Sequence, residues 1–240
     1  MGKKWQYYVG WALLVIFCQI ILICTQYNLW GSPLDYAVDP LEYLYGAAYH
    51  MPLAKASVIR WNFNLVFFAA ICLKEVERSR QENSFMSAVR YGSIRKYQAY
   101  VYFTLLLTIL VYICAVYAGA LVSYGIYARL GWKLCTKLSY VGMSFLLQLL
   151  FHLAFGVITA FVIYHLDGLK LSLAIYPLLP AVCEVETNLC TLYNCIPGSF
   201  CMLGKSEIIS ADGYSVRLVI IIELVLFVVA SVLFVGRKKR

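Results

Sequence analysis

The chain has 240 residues, of which 62% are hydrophobic and 13% charged, and its formal net charge is +8. A soluble domain carries about a quarter charged and about half apolar residues, so water is excluded as the main solvent. A nucleic-acid-binding face is excluded as well, because the basic residues stand at the ends of apolar runs instead of sharing one polar surface.

Apolar runs of the length that crosses a hydrocarbon core about 30 Å thick predict spans near 7–25, 58–73, 97–124, 138–164, 169–182 and 216–235. The expected fold is therefore all-α and integral to a membrane, with about six transmembrane helices in one domain, 1–240. No internal repeat or low-complexity linker divides it. The first run follows Met1-Gly2-Lys3-Lys4, like the basic start of a signal peptide. No A-x-A-like cleavage site follows, so it is expected to stay as a helix. Gln6 stands where a myristoylation signal needs Ser or Thr. Cys18, Cys24, Cys72 and Cys114 lie inside apolar runs, where a free thiol serves as a small hydrophobe.

Between the second and third spans, residues 75–96 form the most polar stretch, yet Val76, Phe85, Met86 and Val89 recur at roughly helical spacing. This pattern predicts an amphipathic helix on the cytoplasmic side, with Glu75–Arg78 and Glu77–Arg80 as i, i+3 pairs. It reads either as a plain connection lying at the headgroups or as a docking element. Its end, Arg90-Tyr91-Gly92-Ser93-Ile94-Arg95-Lys96-Tyr97, leads straight into the third span.

An R-Y-G-S-x-R-K-aromatic element after an acidic amphipathic helix resembles the permease subunits of type 2 ABC exporters, notably the small Firmicutes-type permeases for peptide or bacteriocin export and immunity. In layout the resemblance covers most of the chain, although the local motif is short. It implies a membrane-spanning subunit that is not itself an enzyme and moves a peptide or lipid-like substrate. ATP and Mg would be handled by a separate ABC ATPase chain, and a second permease copy or a related permease would complete the assembly. Carried over by position, the coupling residues would be Glu82, Phe85, Met86, Arg90, Tyr91, Gly92 and Arg95. Phe85 and Met86 would fill a groove on the ATPase, and Gly92 would let the chain turn sharply. The competing reading is a scaffold or sensor subunit that binds a cytoplasmic partner without transporting anything.

Farther along, Ala115, Gly119 and Ser123 form a stripe of small residues that lets another helix approach the third span closely. Gln148 and His152 share a face of the fourth span, either lining a translocation path or hydrogen-bonding between helices. The fifth span is short and contains Pro177 and Pro180, which predicts a broken or re-entrant hairpin continuing through Cys201. The outer segment 183–215 holds Cys183, Cys190, Cys195 and Cys201. Disulfides there could connect in any of three ways. Gly204-Lys205-Ser206 has the end of a phosphate loop, but Ser199 occupies the position of its first glycine, so no nucleotide site is expected here. His50, His152 and His165 are dispersed and predict neither a metal nor a hydrolase site. Glu223, about two turns into the last span, is the third candidate for a translocation path.

Positively charged loops stay in the cytoplasm. With both termini there, 13 of the 20 basic residues fall inside, and Asp35, Asp39, Glu42, Glu184, Glu186, Glu207 and Asp212 fall outside. Seven basic residues fall outside, three of them in the stretch from Arg129 to Lys137, and Glu75, Glu77, Glu82 and Asp167 fall inside, against this arrangement in a multi-pass protein of the cell membrane.

Overall fold

The computed structural model describes residues 2–26, 64, 66–81, 89–131, 138–166, 207–208 and 214–236. They are almost entirely helical: α1 (Gly2–Gln26), α2 (Lys74–Gln81), α3 (Ile94–Arg129), α4 (Leu138–Leu166) and α5 (Val216–Gly236), with a π turn at Ala69–Leu73 leading into α2. Among the described residues there is no strand, and α1, α3, α4 and α5 are long and apolar enough to cross a membrane. The predicted fifth span, its prolines and the four outer cysteines lie outside the described residues, as do residues 58–63 and 65 of the second span.

The charged helix α2 is not a separate element. Residues 66–81 are helical throughout, so the second apolar run passes into α2 without a break at Lys74. Backbone hydrogen bonding does not depend on hydropathy, and a helix continues into water wherever its residues have adequate propensity. Lys, Glu, Arg and Gln do. Glu75 and Arg78 form the expected pair at 4.0 Å. Val76 is buried beneath them.

α3 begins where Ser93 turns its side chain to accept from the Lys96 N–H at 3.2 Å, a hydroxyl N-cap. It runs 36 residues, about 54 Å at 1.5 Å per residue, and so exceeds the hydrocarbon thickness. It ends at Gly131, whose φ of +80° is the left-handed conformation that closes a helix C-terminus. The last helix starts with outside help: the Glu207 carboxylate accepts from both the Ser215 hydroxyl and the Val216 N–H at 3.2 Å. A negative charge there satisfies an orphan donor and suits the helix dipole.

α3 and α4 are the centre of the bundle, with 56% of their most apolar stretch buried against 22% for α1 and α5. Contacts between them give the directions. Tyr117 of α3 donates to Ser144 of α4 at 2.8 Å, while Ile109 lies against Gly156, so these two helices are antiparallel. α1 runs with α3, because Tyr7 and Tyr8 share a cavity with Tyr97 and Tyr100 while Gln19 and Ile16 meet Gly119. α5 ends beside the end of α4, where His165 Nε2 lies 3.4 Å from the Phe234 carbonyl, and beside the start of α3, where Tyr102 donates to Ser231 at 2.7 Å. The start of α1 and the end of α5 therefore lie at the same end of the bundle.

The small-residue stripe is where α1 seats itself. Ala115, Gly119 and Ser123 are all buried, and a Cβ at Gly119 would stand 2.6 Å from Gln19 Cβ.

Candidate functional site

Two groups of polar residues stand out, one at the end of the bundle that holds the start of α1 and one in its interior.

The first is the elbow between α2 and α3. Gly92 has a φ of +76°, a conformation that costs other residues about 1–2 kcal/mol, so the turn that admits the chain to α3 depends on glycine. Past it, Tyr97 is buried and its hydroxyl donates to the Ser79 carbonyl at 3.0 Å. That bond fastens the charged helix to the first turn of the long one. Tyr91 packs its ring on Tyr97 and Tyr100, with centroids 5.4 and 4.9 Å apart. Of the residues carried over by resemblance, Arg90, Tyr91, Gly92 and Arg95 are gathered at this elbow, whereas Glu82, Phe85 and Met86 lie outside the described residues. Removing the Tyr97 hydroxyl should cost about 1 kcal/mol, the net value of such a bond. In Tyr97→Phe, hydrogen exchange should accelerate in the amides of 74–81 and stay unchanged in the middle of α4.

A cavity of about 430 Å³ opens beside the elbow. α1 contributes Tyr7 and Tyr8, α2 and the π turn contribute Ile71, Glu75 and Arg78, and the elbow contributes Arg90. Its α3 wall is formed by Val101 and Leu105 together with Thr104 and Thr108. Sequence reading missed this site. The signal was the cluster of tyrosines in two segments far apart in the chain, Tyr7 and Tyr8 in one and Tyr91, Tyr97 and Tyr100 in the other.

The second group is internal. Gln148 and His152 are both buried, and His152 Nδ1 lies 2.7 Å from the Gln148 carbonyl of its own helix. The imidazole is edge-on to Phe68 at 4.7 Å and also packs on Phe151 and Tyr112, so its surroundings are aromatic. Nearby, Gln19 donates to the Asn64 side chain and Tyr112 donates to the Asn64 carbonyl. These bonds tie α1 and α3 to the helix that leads into α2. Gln19 and Asn64 were visible as polar residues inside apolar runs, but their pairing was not.

Glu223 stands apart from that network. It is fully buried on α5, on the same face as Val216, Val219, Ala230 and Phe234. Neither carboxyl oxygen has a hydrogen-bond partner among the described residues. The structure thus brings Gln148 and His152 together and places Glu223 in the packed face of another helix. Among the described residues no group of His, Cys, Asp and Glu could hold a metal ion. The thiols of Cys18, Cys24, Cys72 and Cys114 are free.

No protein-family model, curated protein or solved structure matches this chain.

Proposed function

We propose that the chain is the membrane-spanning subunit of an ATP-driven exporter, taking energy from a separate ATPase that docks on the elbow between α2 and α3. The reading rests on the resemblance of residues 90–97 to type 2 ABC permeases. The observation that carries it is the bond from Tyr97 to Ser79, which would make a push on the charged helix a push on α3. α3 in turn contacts every other long helix in the bundle, so displacement of its first turn would be felt throughout.

The helix directions support a six-span layout. α1 and α3 run the same way, so in a membrane the chain between them must cross back an odd number of times, and a single return suits the apolar run 58–73. α4 and α5 also run the same way, which asks the same of the run 169–182. The end of the bundle that holds the start of α1 has Lys74, Arg78, Arg90, Arg95 and Lys96 beside it, and Arg237–Arg240 follow α5. By the positive-inside rule this end faces the cytoplasm.

Replacing Phe85 or Met86 by aspartate tests the docking. A charge in an apolar anchor pocket costs several kcal/mol of binding, so co-purification with a Walker-motif ATPase should fall at least tenfold and ATP-dependent transport into vesicles should cease. A scaffold would still bind its partner in the wild type, but no substrate would cross the bilayer on adding ATP.

A further inference from the structure

We propose that the cavity beside the elbow binds the phosphate-bearing head of an anionic phospholipid, with the first part of its acyl chains against the α3 wall. The inference rests on the membrane placement above but not on an ATPase partner.

The lining has two chemistries. At the mouth, Arg78 and Arg90 face a single carboxylate, Glu75. Glu75 holds Arg78 at 4.0 Å, leaving an excess of one positive charge. Guanidinium forks match phosphate oxygens in geometry as well as sign, and tyrosine hydroxyls beside them can donate as well. Deeper in, Ile71, Val101 and Leu105 offer hydrocarbon, with Thr104 and Thr108 among them, and the Thr108 hydroxyl is turned to the Thr104 carbonyl of its own helix at 2.7 Å. A free phosphate compound would leave that apolar wall uncovered. A neutral amphiphile would leave the positive charge unanswered. A ligand with a negative head and an apolar continuation satisfies both.

Size and depth agree. About 430 Å³ falls within the usual range of ligand pockets, about 300–1,000 Å³, and suits a headgroup with the start of its chains. Tyr7, Tyr8, Tyr91, Tyr97 and Tyr100 gather around the cavity, as tyrosines do at the level of the headgroups. Basic pockets between helices on the cytoplasmic side face the leaflet that carries the anionic lipids.

The test uses the full chain purified in a neutral detergent without any ATPase and follows its melting midpoint during titration with dioctanoyl phosphatidylglycerol. The lipid should raise the midpoint in a saturable way. Glycerol phosphate, which keeps the head alone, and dioctanoylglycerol, which keeps the tails alone, should each bind about tenfold more weakly or worse, as should dioctanoyl phosphatidylcholine, whose head has no net charge. Arg90→Gln should weaken phosphatidylglycerol binding about tenfold or more, the loss expected for a charge-assisted hydrogen bond, without changing the midpoint of the lipid-free chain. Arg90→Lys should recover part of that loss, and Lys96→Gln, outside the cavity, should bind as the wild type does. Equal binding of glycerol phosphate would make this a site for a free anion and overturn the proposal. So would equal binding of dioctanoylglycerol or of the zwitterionic lipid, or an Arg90→Gln curve superimposable on the wild type.

Discussion

Gly119→Leu is expected to separate α1 from α3 and to give the largest loss of stability of any single substitution in the described bundle. Even a Cβ at this position would lie 2.6 Å from Gln19 Cβ and 2.9 Å from the carbonyl oxygen of Ile16. The oxygen is backbone and no side-chain rotation moves it aside, so α1 must translate as a unit. Overpacking of this kind costs about 1–3 kcal/mol where neighbours can adjust. Here adjustment also strains the contact of Gln19 with Asn64, so the upper end of that range is expected. Gly119→Ala should destabilise in the same direction, against the roughly 1 kcal/mol that alanine gains over glycine in a helix. Gly125 on the same helix is the control, since nothing lies within 4 Å of its added Cβ, and Gly125→Ala should leave the melting midpoint equal or higher. A Gly119→Leu chain that melts with the wild type would mean that α1 does not pack on this stripe.

That stripe shows how far the sequence could be read. Small residues four apart announce a close helix contact, because only they let two backbones approach. They do not say which helix arrives, since several other apolar runs could have filled the place. The same limit holds at His152. Its helical spacing from Gln148 puts both on one face, but that Phe68 would stand edge-on to the imidazole depends on the path of another segment. The elbow divides similarly. The Arg90–Tyr97 element leads into the third span and Gly92 makes the sharp turn expected of it, whereas the capping role of Ser93 is seen only in the structure. The bond of Tyr97 to a backbone carbonyl 18 residues earlier could not be inferred, because any buried tyrosine needs a partner and the sequence does not name it. At Lys74 the helix predicted from Glu75 onward is present, but its continuity with the preceding apolar run was not legible in the hydropathy. The fall in apolar content marks a change of composition alone, and the helix continues through it to Gln81.

Glu223→Leu is expected to raise the stability of the chain while abolishing the transport proposed for it. The carboxyl group is fully buried, and neither oxygen finds a donor among the described residues. A polar group taken from water without a compensating bond costs about 1–3 kcal/mol by mutational measures, and leucine of similar volume would replace it with favourable packing on the Val219 face. The melting midpoint of Glu223→Leu in detergent should therefore rise, and that of Glu223→Gln, which keeps a polar burden, should stay near the wild type. Stability left unclaimed at one position is common and assigns no role by itself; the reason to test Glu223 is that ionisable groups within membrane-spanning helices commonly line the route of a substrate or proton. The activity of the two variants separates the possible reasons. If the carboxylate acts through its charge or its proton, both leucine and glutamine stop transport; if only a polar contact is needed, glutamine preserves it. A midpoint that falls in Glu223→Leu would mean that the carboxyl group holds the bundle together, and its place on the packed face of α5 would then be structural.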